Sequence, residues 1–354
     1  MRTFATRRKS ERADIFTEAA ARRGLTPQVL EKDFWVCWTL GRIFEQMGGA
    51  GLTFKGGTSL SKVYKVIERF SEDIDLSFER SSIGISDNED PSRSTPESNN
   101  KRKQLVEAIG ARVQQHIQEA FVPALKDVVR NELTGQPWSV EIDTADSQTV
   151  LFQYPPSIEA EFGYVSSGVR LELGARGEPW PSEMRTISPY VAEEFPDLFI
   201  SAECRVMVLA FERTFWEKAT ILHAFHHRAA DKPVARNSRH FYDLYRLCDD
   251  ELGRKAITEI GLLERVVEHK KIFFPSASAK YEEATPGSLR LVPREDQLTA
   301  LRADYSDMRS MFFGEQPSFE AVMARLSQLE SQINGSAYAD TPVSSPEPSF
   351  PPGT

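Results

Sequence analysis

Residues 54–78 read FKGGTSLSKVYKVIERFSEDIDLSF, in which a glycine pair, a segment of helical character and two aspartates follow one another. In a β-strand, residues i and i+2 project to the same face, so Asp73 and Asp75 point together while Ile74 and Leu76 point into a core. Two carboxylates held side by side repel each other unless a positive charge lies between them. A divalent cation is the natural partner, because aspartate oxygens suit Mg²⁺, which also binds substrate phosphates. The strand therefore predicts a metal site.

The glycine pair upstream of this strand, Gly56 and Gly57, allows the backbone to approach a ligand closely. The helix predicted from Thr58 then offers free N–H groups and the positive end of a dipole, which suit phosphate. Each motif alone is weak, because a glycine pair is more often only a turn and an Asp-x-Asp pair often lies on a solvated strand face. Their fixed order of strand, glycine pair, helix and strand favours a phosphate cradle beside a metal site.

Composition bounds the class of protein. The chain has 354 residues, 40% of them hydrophobic and 27% charged, which suits one large domain or two moderate ones. No window approaches the 18 or more apolar residues of a membrane span, and the basic N-terminus lacks the apolar region of a secretory signal. Three cysteines lie far apart, at Cys37, Cys204 and Cys248, which is typical of reduced thiols in a cytoplasmic protein. The net charge of −9 argues against a general nucleic-acid coat protein but leaves room for a local basic surface.

Hydrophobic periodicity predicts an α+β fold with a small mixed sheet, an N-terminal helical layer and a C-terminal helical domain. We predict N-terminal helices in 1–50, the sheet core in 51–200 with a mobile loop at 81–100, a helical domain in 201–335 and a disordered tail in 336–354. Helices are expected at 8–23, 26–47, 58–66, 101–130, 206–228, 239–249, 255–270 and 317–333. Strands are expected at 51–54, 73–78, 138–143, 149–154 and 169–173.

The stretch 54–78 resembles the nucleotidyltransferase signature of the polymerase-β-like superfamily, in which a glycine pair precedes an Asp-x-Asp strand. More narrowly, it is similar to the AbiEii/AbiGii family of bacterial toxins, which includes the MenT toxins. That family carries GGT-[AS]-L and then R-x-S-x-D-[IL]-D. The matching residues are Gly56, Gly57, Thr58, Ser59 and Leu60, then Arg69, Ser71, Asp73, Ile74 and Asp75. The resemblance implies a nucleotidyltransferase core, although the spacing between the two motifs is longer than in the wider superfamily.

Such enzymes usually carry a third carboxylate on a neighbouring strand. The best candidate is Glu172 in VRLELGAR, which shares its strand face with Arg170 and Gly174. Glu141 and Asp143 in VEIDT are the alternatives. A strand carboxylate that only faces solvent is the interpretation without function.

Two later blocks are also similar to the family. In RVMVLAFERTFWEKATILHAFHHR, Lys218 matches a lysine near the middle of a helix, where it can pair with nucleotide phosphates as a point charge. In RNSRHFYDLYRL, Asp243 matches the aspartate of the closing motif, while His240 stands where an acidic residue is expected. Asp243 would orient Lys218 or hold a nucleotide hydroxyl. The alternatives are a solvated lysine, and a surface acid that pairs with Arg239 or Arg246.

The histidines of the first block raise a metal hypothesis. His223 with His226 or His227 has the spacing of a zinc pair on a helix, with His240 nearby, but there is no HExxH motif and no suitably placed cysteine. We favour a basic surface that docks RNA or triphosphate. Its residues are Arg228, Lys232, Arg236, Arg239 and Arg246, and a second candidate is Lys101, Arg102 and Lys103.

Aromatic residues recur at helical spacing and are expected to be core rather than base-stacking platforms. They are Phe34, Trp35, Trp38, Phe211, Phe215 and Trp216.

The resemblance implies transfer of a nucleoside monophosphate from an NTP to an acceptor, with the 3′ end of tRNA favoured, so that translation is blocked. It implies Mg²⁺ or Mn²⁺ held by Asp73 and Asp75, with Glu172 completing the metal site or acting as base, and Asp243 beside the catalytic Lys218. A separately encoded antitoxin is the expected protein partner. The predicted nucleotide-binding residues are Gly56, Gly57, Thr58, Ser59, Arg69, Ser71 and Lys218.

Other functions stay open on the sequence alone. The same chemistry on a protein or small-molecule hydroxyl, a nucleotide-binding protein without catalysis, and a plain interaction protein are the alternatives. Ser71 next to the metal acids is also a candidate phosphorylation site, because a phosphate there would repel NTP. Undiminished activity of Ser71→Asp would count against that hypothesis.

Overall fold

One mixed β-sheet forms the centre of the fold in the computed structural model, which describes residues 1–49, 51–71, 73–159 and 168–336. Its strands within these residues are β1 (Leu52–Lys55), β2 (Asp73–Phe78), β3 (Ser139–Ile142), β4 (Thr149–Gln153), β5 (Val169–Gly174), β6 (Ser182–Ile187) and β7 (Cys204–Leu209). They lie in the order β3-β4-β5-β2-β1-β7-β6. β2 is antiparallel to β1 and parallel to β5, so the strand that carries Asp73 and Asp75 has a neighbour on each side.

Helices precede the sheet, connect some of its strands and follow it. They are α1 (Arg2–Ala5), α2 (Lys9–Arg23), α3 (Pro27–Gly41), α4 (Gly56–Lys62), α5 (Asn99–His116), α6 (Val122–Glu132), α7 (Tyr190–Glu194), α8 (Phe211–His227), α9 (Ser238–Leu247), α10 (Glu251–Ala256), α11 (Ile260–Phe273), α12 (Glu295–Asp307) and α13 (Phe319–Ser336). The start of α3 follows from its sequence, because Thr26 caps the Val29 N–H and Pro27 occupies the first turn. None of the helices in the described residues is long and apolar enough to cross a membrane.

The predicted α+β class is confirmed, as are the five predicted strands, β1 to β5, within one or two residues. The helix predicted at 206–228 is wrong at its beginning, because Cys204–Leu209 is β7 and α8 begins only at Phe211. Val206 and Val208 are buried while Arg205 is exposed, which is the period-two pattern of a strand. The helix predicted at 255–270 is two helices, α10 and α11. β6 was missed because its side chains are mostly exposed and lack apolar alternation.

Two predictions about flexible segments stay predictions. A short 3-10 helix, Arg80–Ile83, and an ion pair between Arg80 and Asp90 lie at the beginning of the predicted loop, and α5 begins at Asn99, before the predicted end of the loop. The mobility of this loop and the predicted domain limits both stay predictions. The predicted tail beyond residue 336 lies outside the described residues.

The sheet has one apolar and one polar face. Ile74 and Leu76 belong to the apolar face, which α3 and α5 cover and where Trp35 and Trp38 are fully buried. The opposite face carries Asp75, which lies between Lys55 of β1 and Glu172 of β5 in the register of the sheet. The alternation of β2 therefore directs its carboxylates away from the core, as its sequence predicts.

Buried apolar side chains of the described residues form two cores, one against the sheet and one among the C-terminal helices. The six aromatic residues predicted to be core are all buried in them. The segment 63–71, between α4 and β2, joins the second core through Val66 and Ile67. Its backbone also pairs with residues near 312, since Phe70 N–H donates to Met311 O at 2.6 Å and Phe313 N–H donates to Glu68 O at 2.9 Å. The long segment between the two sequence motifs thus contacts the C-terminal helical part of the protein.

Candidate active site

The turn between β1 and α4 needs glycine at both positions. Gly56 has φ +81°, and a Cβ there would lie 1.9 Å from Asp75 Oδ2. A Cβ on Gly57 would lie 2.7 Å from Ser71 Oγ and 2.9 Å from an Arg69 guanidinium nitrogen. Gly56 therefore lies directly against the side chain of Asp75, and Gly57 against those of Ser71 and Arg69, so any larger residue would displace them.

The hydroxyls that follow the glycines hold this turn to β2. Thr58 Oγ1 donates to Asp73 O at 2.5 Å and lies 3.1 Å from Ser71 Oγ, and Ser59 Oγ donates to Gly56 O at 2.8 Å. Both Thr58 and Ser59 are fully buried. Their side chains fix the geometry of the turn, and their role as nucleotide ligands stays a prediction, as does phosphorylation of the half-buried Ser71.

Asp73 and Asp75 share the polar face of β2, next to Lys55 and Glu172. Burial raises the pKa of Asp75 to about 6, and the neighbouring Glu172 and Asp73 add to the rise, while Lys55 and Lys218 oppose it. A carboxyl group whose ionised form is disfavoured by its acidic neighbours is relieved when a cation binds.

The third carboxylate is close in register but is directed elsewhere. Glu172 Oε1 accepts from Arg170 Nε at 3.2 Å, and Arg170 also donates to Asp143 Oδ2 at 2.7 Å. The alternative Glu141 is exposed on β3. In the part of the chain that the structure describes, no three His, Cys, Asp or Glu side chains come together in a way that could hold a metal ion. The assignment of Glu172 therefore stays a prediction.

The helical half contributes a buried cluster of charged groups. Asp243 is fully buried on α9 and accepts from Arg69 Nε at 2.7 Å and from a terminal nitrogen of Arg69 at 2.8 Å. Lys218 Nζ on α8 lies 2.9 Å from Asp243 Oδ2, which also accepts from Arg69, and 3.1 Å from His240 Nδ1. The structure thus brings together Arg69, Lys218 and Asp243, which come from the three sequence blocks.

Burial and ion pairing together shift the pKa values of Asp243, Lys218 and His240. Burial alone would raise the pKa of Asp243, but Arg69 and Lys218 outweigh it and hold that pKa well below its usual range. Burial lowers the pKa of Lys218, against the opposing influence of Asp243. Burial, Lys218 and Arg239 hold the pKa of His240 well below its usual value, so its imidazole is neutral. The alternative that Asp243 is a surface acid is therefore wrong.

Three further charged side chains, Lys55, Lys270 and Glu217, belong to this region, and the sequence analysis assigns none of them a role. Lys55 lies opposite Asp75, and Lys270 on α11 is near both Lys55 and Lys218. Burial would raise the pKa of Glu217, but Lys270 and Arg213 outweigh it and lower that pKa. The position of Lys55 immediately before the glycine pair could have indicated from the sequence that it lies at the site. No sequence pattern could have indicated this for Lys270, because its place depends on how α11 packs against α8.

The histidines of α8 hold a loop rather than a metal. His223 uses both ring nitrogens, with Nδ1 accepting from Arg290 N–H and Nε2 lying 3.0 Å from Lys280 O. His226 Nδ1 lies 2.7 Å from Val292 O. These contacts tie α8 to residues 280–292. Among the described residues, these histidines belong to no group of three or more His, Cys, Asp or Glu side chains that could hold a metal ion.

The predicted basic surface is partly used within the protein. Arg246 pairs with Glu68 at 2.8 Å, and the Arg228 guanidinium lies 3.9 Å from the centre of the Phe225 ring. Lys232 is exposed. Lys101 and Lys103 are exposed in the first turns of α5. Docking of RNA at either place stays a prediction.

The family model of the nucleotidyl transferase AbiEii toxin, type IV toxin–antitoxin system, matches residues 39–325. The chain belongs to the AbiEii family. This AbiEii protein is a nucleotidyltransferase toxin, and membership implies an NTP substrate and an antitoxin partner. The resemblance drawn from the sequence motifs is confirmed.

Solved structures and curated proteins were also compared with this AbiEii toxin. MenT4, a nucleotidyltransferase toxin from Mycobacterium tuberculosis H37Rv, superimposes with a TM-score of 0.49 at 17% sequence identity. The match covers 94% of this chain and 90% of the other. The comparison with curated proteins gave no match.

Nucleotidyltransferases of this kind use divalent metal ions, and the donor set of this AbiEii toxin fits one at Asp73 and Asp75. Hard oxygen ligands on one strand face and the raised pKa of Asp75 both favour a bound cation. Glu172 would join them only if its carboxylate turned from Arg170 towards Asp75.

Proposed function

We propose that this AbiEii toxin is a Mg²⁺-dependent enzyme of the cytoplasm that transfers a nucleoside monophosphate from an NTP to the 3′ end of tRNA and so blocks translation. The observation that carries the proposal is the meeting of opposite charges at one place. Asp73 and Asp75 share a sheet face with Lys55, and Lys218 lies near enough to influence the pKa of Asp75. Carboxylates suit the metal ion, and lysines suit the phosphates that accompany it.

The reaction requires the acceptor oxygen to attack the α-phosphorus while the bond to the β-phosphate oxygen breaks and pyrophosphate leaves. Catalysis of this step is mainly positioning and charge neutralisation. Mg²⁺, or Mn²⁺ in its place, would supply activation of the acceptor hydroxyl and neutralisation of the leaving group.

The chain's own residues perform the remaining tasks. Asp73 and Asp75 carry the negative charge that holds the metal. The backbone of Gly56 lies against Asp75, and that of Gly57 lies against Ser71 and Arg69, so the glycine pair borders the space beside Asp75 where the triphosphate would lie. Lys218 donates to a phosphate oxygen, and Asp243 with Arg69 keeps its ammonium in position. Glu172, if released from Arg170, would complete the metal site or accept the proton of the acceptor hydroxyl.

The acceptor is proposed from the resemblance to MenT-like toxins, which implies tRNA. Exposed basic side chains on the helical half, such as Lys232, are consistent with docking of a phosphate backbone. A protein or small-molecule hydroxyl is the second candidate acceptor, because the same charge arrangement serves any hydroxyl.

Label transfer tests the proposal. The protein is incubated with Mg²⁺, each α-³²P-labelled NTP in turn and total tRNA, and the products are resolved on a gel. A variant with Asp73→Ala and Asp75→Ala is compared with Asp127→Asn, which changes an exposed acid of α6 far from the site. We expect label in tRNA with one or two of the NTPs, retained in Asp127→Asn and lost in the double variant.

The other outcomes are equally informative. Label on protein bands would replace the tRNA acceptor with a protein side chain. Bound NTP with label on neither class of macromolecule would contradict a macromolecular acceptor, and small hydroxylated molecules would be tested next. No NTP binding by the wild-type protein would overturn the proposed function.

A comparison of two carboxylates decides which of them is the third acid. Glu172→Gln is expected to lower the rate of label transfer roughly 10²-fold, because it removes a charge beside Asp75. Asp143→Asn is expected to change the rate less than about threefold, since its carboxylate lies behind Arg170. Both rates are measured at saturating NTP. Equal losses in the two variants, or a larger loss in Asp143→Asn, would reverse the assignment.

A further inference from the structure

Two lysines beside the acids, Lys55 of β1 and Lys270 of α11, have no bonded counter-charge in the described residues. Lys55 lies opposite Asp75 in the register of β1 and β2, so both side chains point to the polar face of the sheet. Within the described part of the chain, neither lysine forms an ion pair or a hydrogen bond through its ammonium. The Lys270 ammonium lies 4.9 Å from the centre of the Phe274 ring, which carries no charge. Both amines are therefore available to a ligand.

The segment that follows β5 runs between α11 and β1 and shows that the two lysines are neighbours. His269 Nε2 lies 2.8 Å from Arg176 O, which holds this segment against α11. A Cβ on the next residue, Gly177, would lie 3.8 Å from Lys55 Cε. Lys270 directly follows His269 on α11. The two amines thus approach one another from the sheet and from the helical half.

The charged groups around Lys270 are mostly positive. Burial lowers the pKa of Lys270, and Glu217 opposes that fall. Three neighbouring cations, Lys55, Arg213 and Lys218, add to it. Glu217 is itself shared, because it accepts from Arg213 Nε at 3.2 Å. Cations that repel one another in a partly buried place favour the arrival of an anion.

Asp75 is the carboxylate nearest to Lys55 in the register of the sheet, but it is also a proposed metal ligand. With its charge engaged by the cation, Asp75 no longer compensates Lys55. Magnesium ions in proteins are commonly held by one or two carboxylates together with substrate phosphates. Phosphates that share a cation with Asp75 would therefore lie beside Lys55 and near Lys270.

We propose that Lys55 and Lys270 form a subsite for the β- and γ-phosphates of the NTP, and for the pyrophosphate that leaves after transfer. This inference rests on the proposed function, because it concerns the same site. The subsite is separate from the cluster of Lys218 and Asp243. A nucleic-acid backbone suits it less well, because its single charges are spread along the strand, whereas pyrophosphate concentrates its charge at one place.

Variants of Lys270 test the subsite without changing the glycine turn or the acids. Lys270→Gln removes the charge and keeps a similar length, and Lys270→Arg retains the charge. Lys271→Gln is the matched control, because Lys271 is the next residue of α11 and pairs with Glu268 at 2.7 Å. Successive residues of a helix point in directions about 100° apart, so Lys271 does not share the orientation of Lys270. Lys55→Gln tests the second amine, and thermal unfolding establishes that all four variants fold.

Binding is measured by calorimetry with Mg²⁺ and inorganic pyrophosphate, and then with Mg²⁺ and each of the four nucleoside monophosphates. Lys270→Gln and Lys55→Gln are each expected to weaken pyrophosphate binding about tenfold or more, because each removes a charged donor. Monophosphate binding should stay within about threefold of the wild type, since these ligands lack the β- and γ-phosphates. Lys270→Arg should retain pyrophosphate affinity within about fivefold, and Lys271→Gln within about twofold. In label transfer, kcat/KM for NTP should fall about tenfold in Lys270→Gln.

Pyrophosphate binding that is equal in Lys270→Gln and the wild type would overturn the inference and leave the proposed function intact. A loss of monophosphate binding as large as that of pyrophosphate binding would indicate a general disturbance of the site and would also overturn it. Weakened tRNA binding with unchanged pyrophosphate binding would assign the two amines to the acceptor instead. Absence of both NTP and pyrophosphate binding by the wild type would overturn both proposals.

Discussion

Asp75→Asn is expected to abolish nucleotidyl transfer and yet to raise the melting temperature of the metal-free protein at neutral pH. The rate should fall at least about 10³-fold, because the variant loses one of the two carboxylates that are proposed to hold the metal. Stability should rise by roughly 1–2 kcal/mol, because the buried carboxylate next to Asp73 and Glu172 is no longer charged. Label transfer and thermal unfolding in EDTA measure the two effects on the same samples.

The pH dependence of this effect has a definite sign. The pKa of Asp75 is raised from 3.8 to about 6 in the folded protein, so between these values the folded state holds a proton that the unfolded state has lost. The stability of the wild type therefore declines as pH rises through this window, and Asp75→Asn escapes the decline. The difference between the two melting temperatures should be larger at pH 7.5 than at pH 4.5, and Mg²⁺ should reduce it by stabilising the wild type. A variant that melts below the wild type at pH 7.5 would contradict the argument.

Asp243→Asn is expected to be the most destabilising single substitution at the site, by about 3–5 kcal/mol. The asparagine has nearly the same shape, but it removes the buried charge that faces both Arg69 and Lys218. Because the pKa of Asp243 lies well below its usual range in the folded protein, the contribution is fully present above about pH 4. It is lost as pH falls further, so the variant and the wild type should converge in acid. Chemical denaturation at pH 7 and pH 3 measures the difference.

The control for this variant is Asp249→Asn, just beyond the end of α9. Asp249 forms a 2.7 Å ion pair with Arg325 but is half exposed, so its loss should cost less than about 1 kcal/mol. A cost below about 1 kcal/mol for Asp243→Asn would show that the cluster is better solvated than its burial implies.

The local part of the site could be predicted from the sequence. The period of two in β2 placed Asp73 and Asp75 on one face, and the glycine pair predicted a turn that Gly56 confirms with its positive φ and its closeness to Asp75. These features depend on residues near one another in the chain. The family motifs added Lys218 and Asp243, which no local pattern joins to the aspartates.

The remainder depends on packing between distant elements. Arg170 forms ion pairs with both Glu172 and Asp143. These pairs could not be predicted from the sequence, because they depend on the register of β4 and β5. Lys270 reaches the site because α11 packs against α8. The sequence of β7 was wrongly predicted to be helical, because the periodicity of so short an apolar run does not distinguish a strand from a helix.

The contacts of residues 63–71 with the C-terminal helical part affect when the site can form during synthesis of the chain. The glycine turn and the aspartates leave the ribosome first, but Lys218 and Asp243 follow much later, and the partners of Phe70 and Glu68 are at Met311 and Phe313. A nascent chain therefore contains the acids before Lys218, and before the backbone contacts that flank Arg69. The site can therefore be complete only after residue 313 has been synthesised, which gives an antitoxin the time of that elongation in which to act.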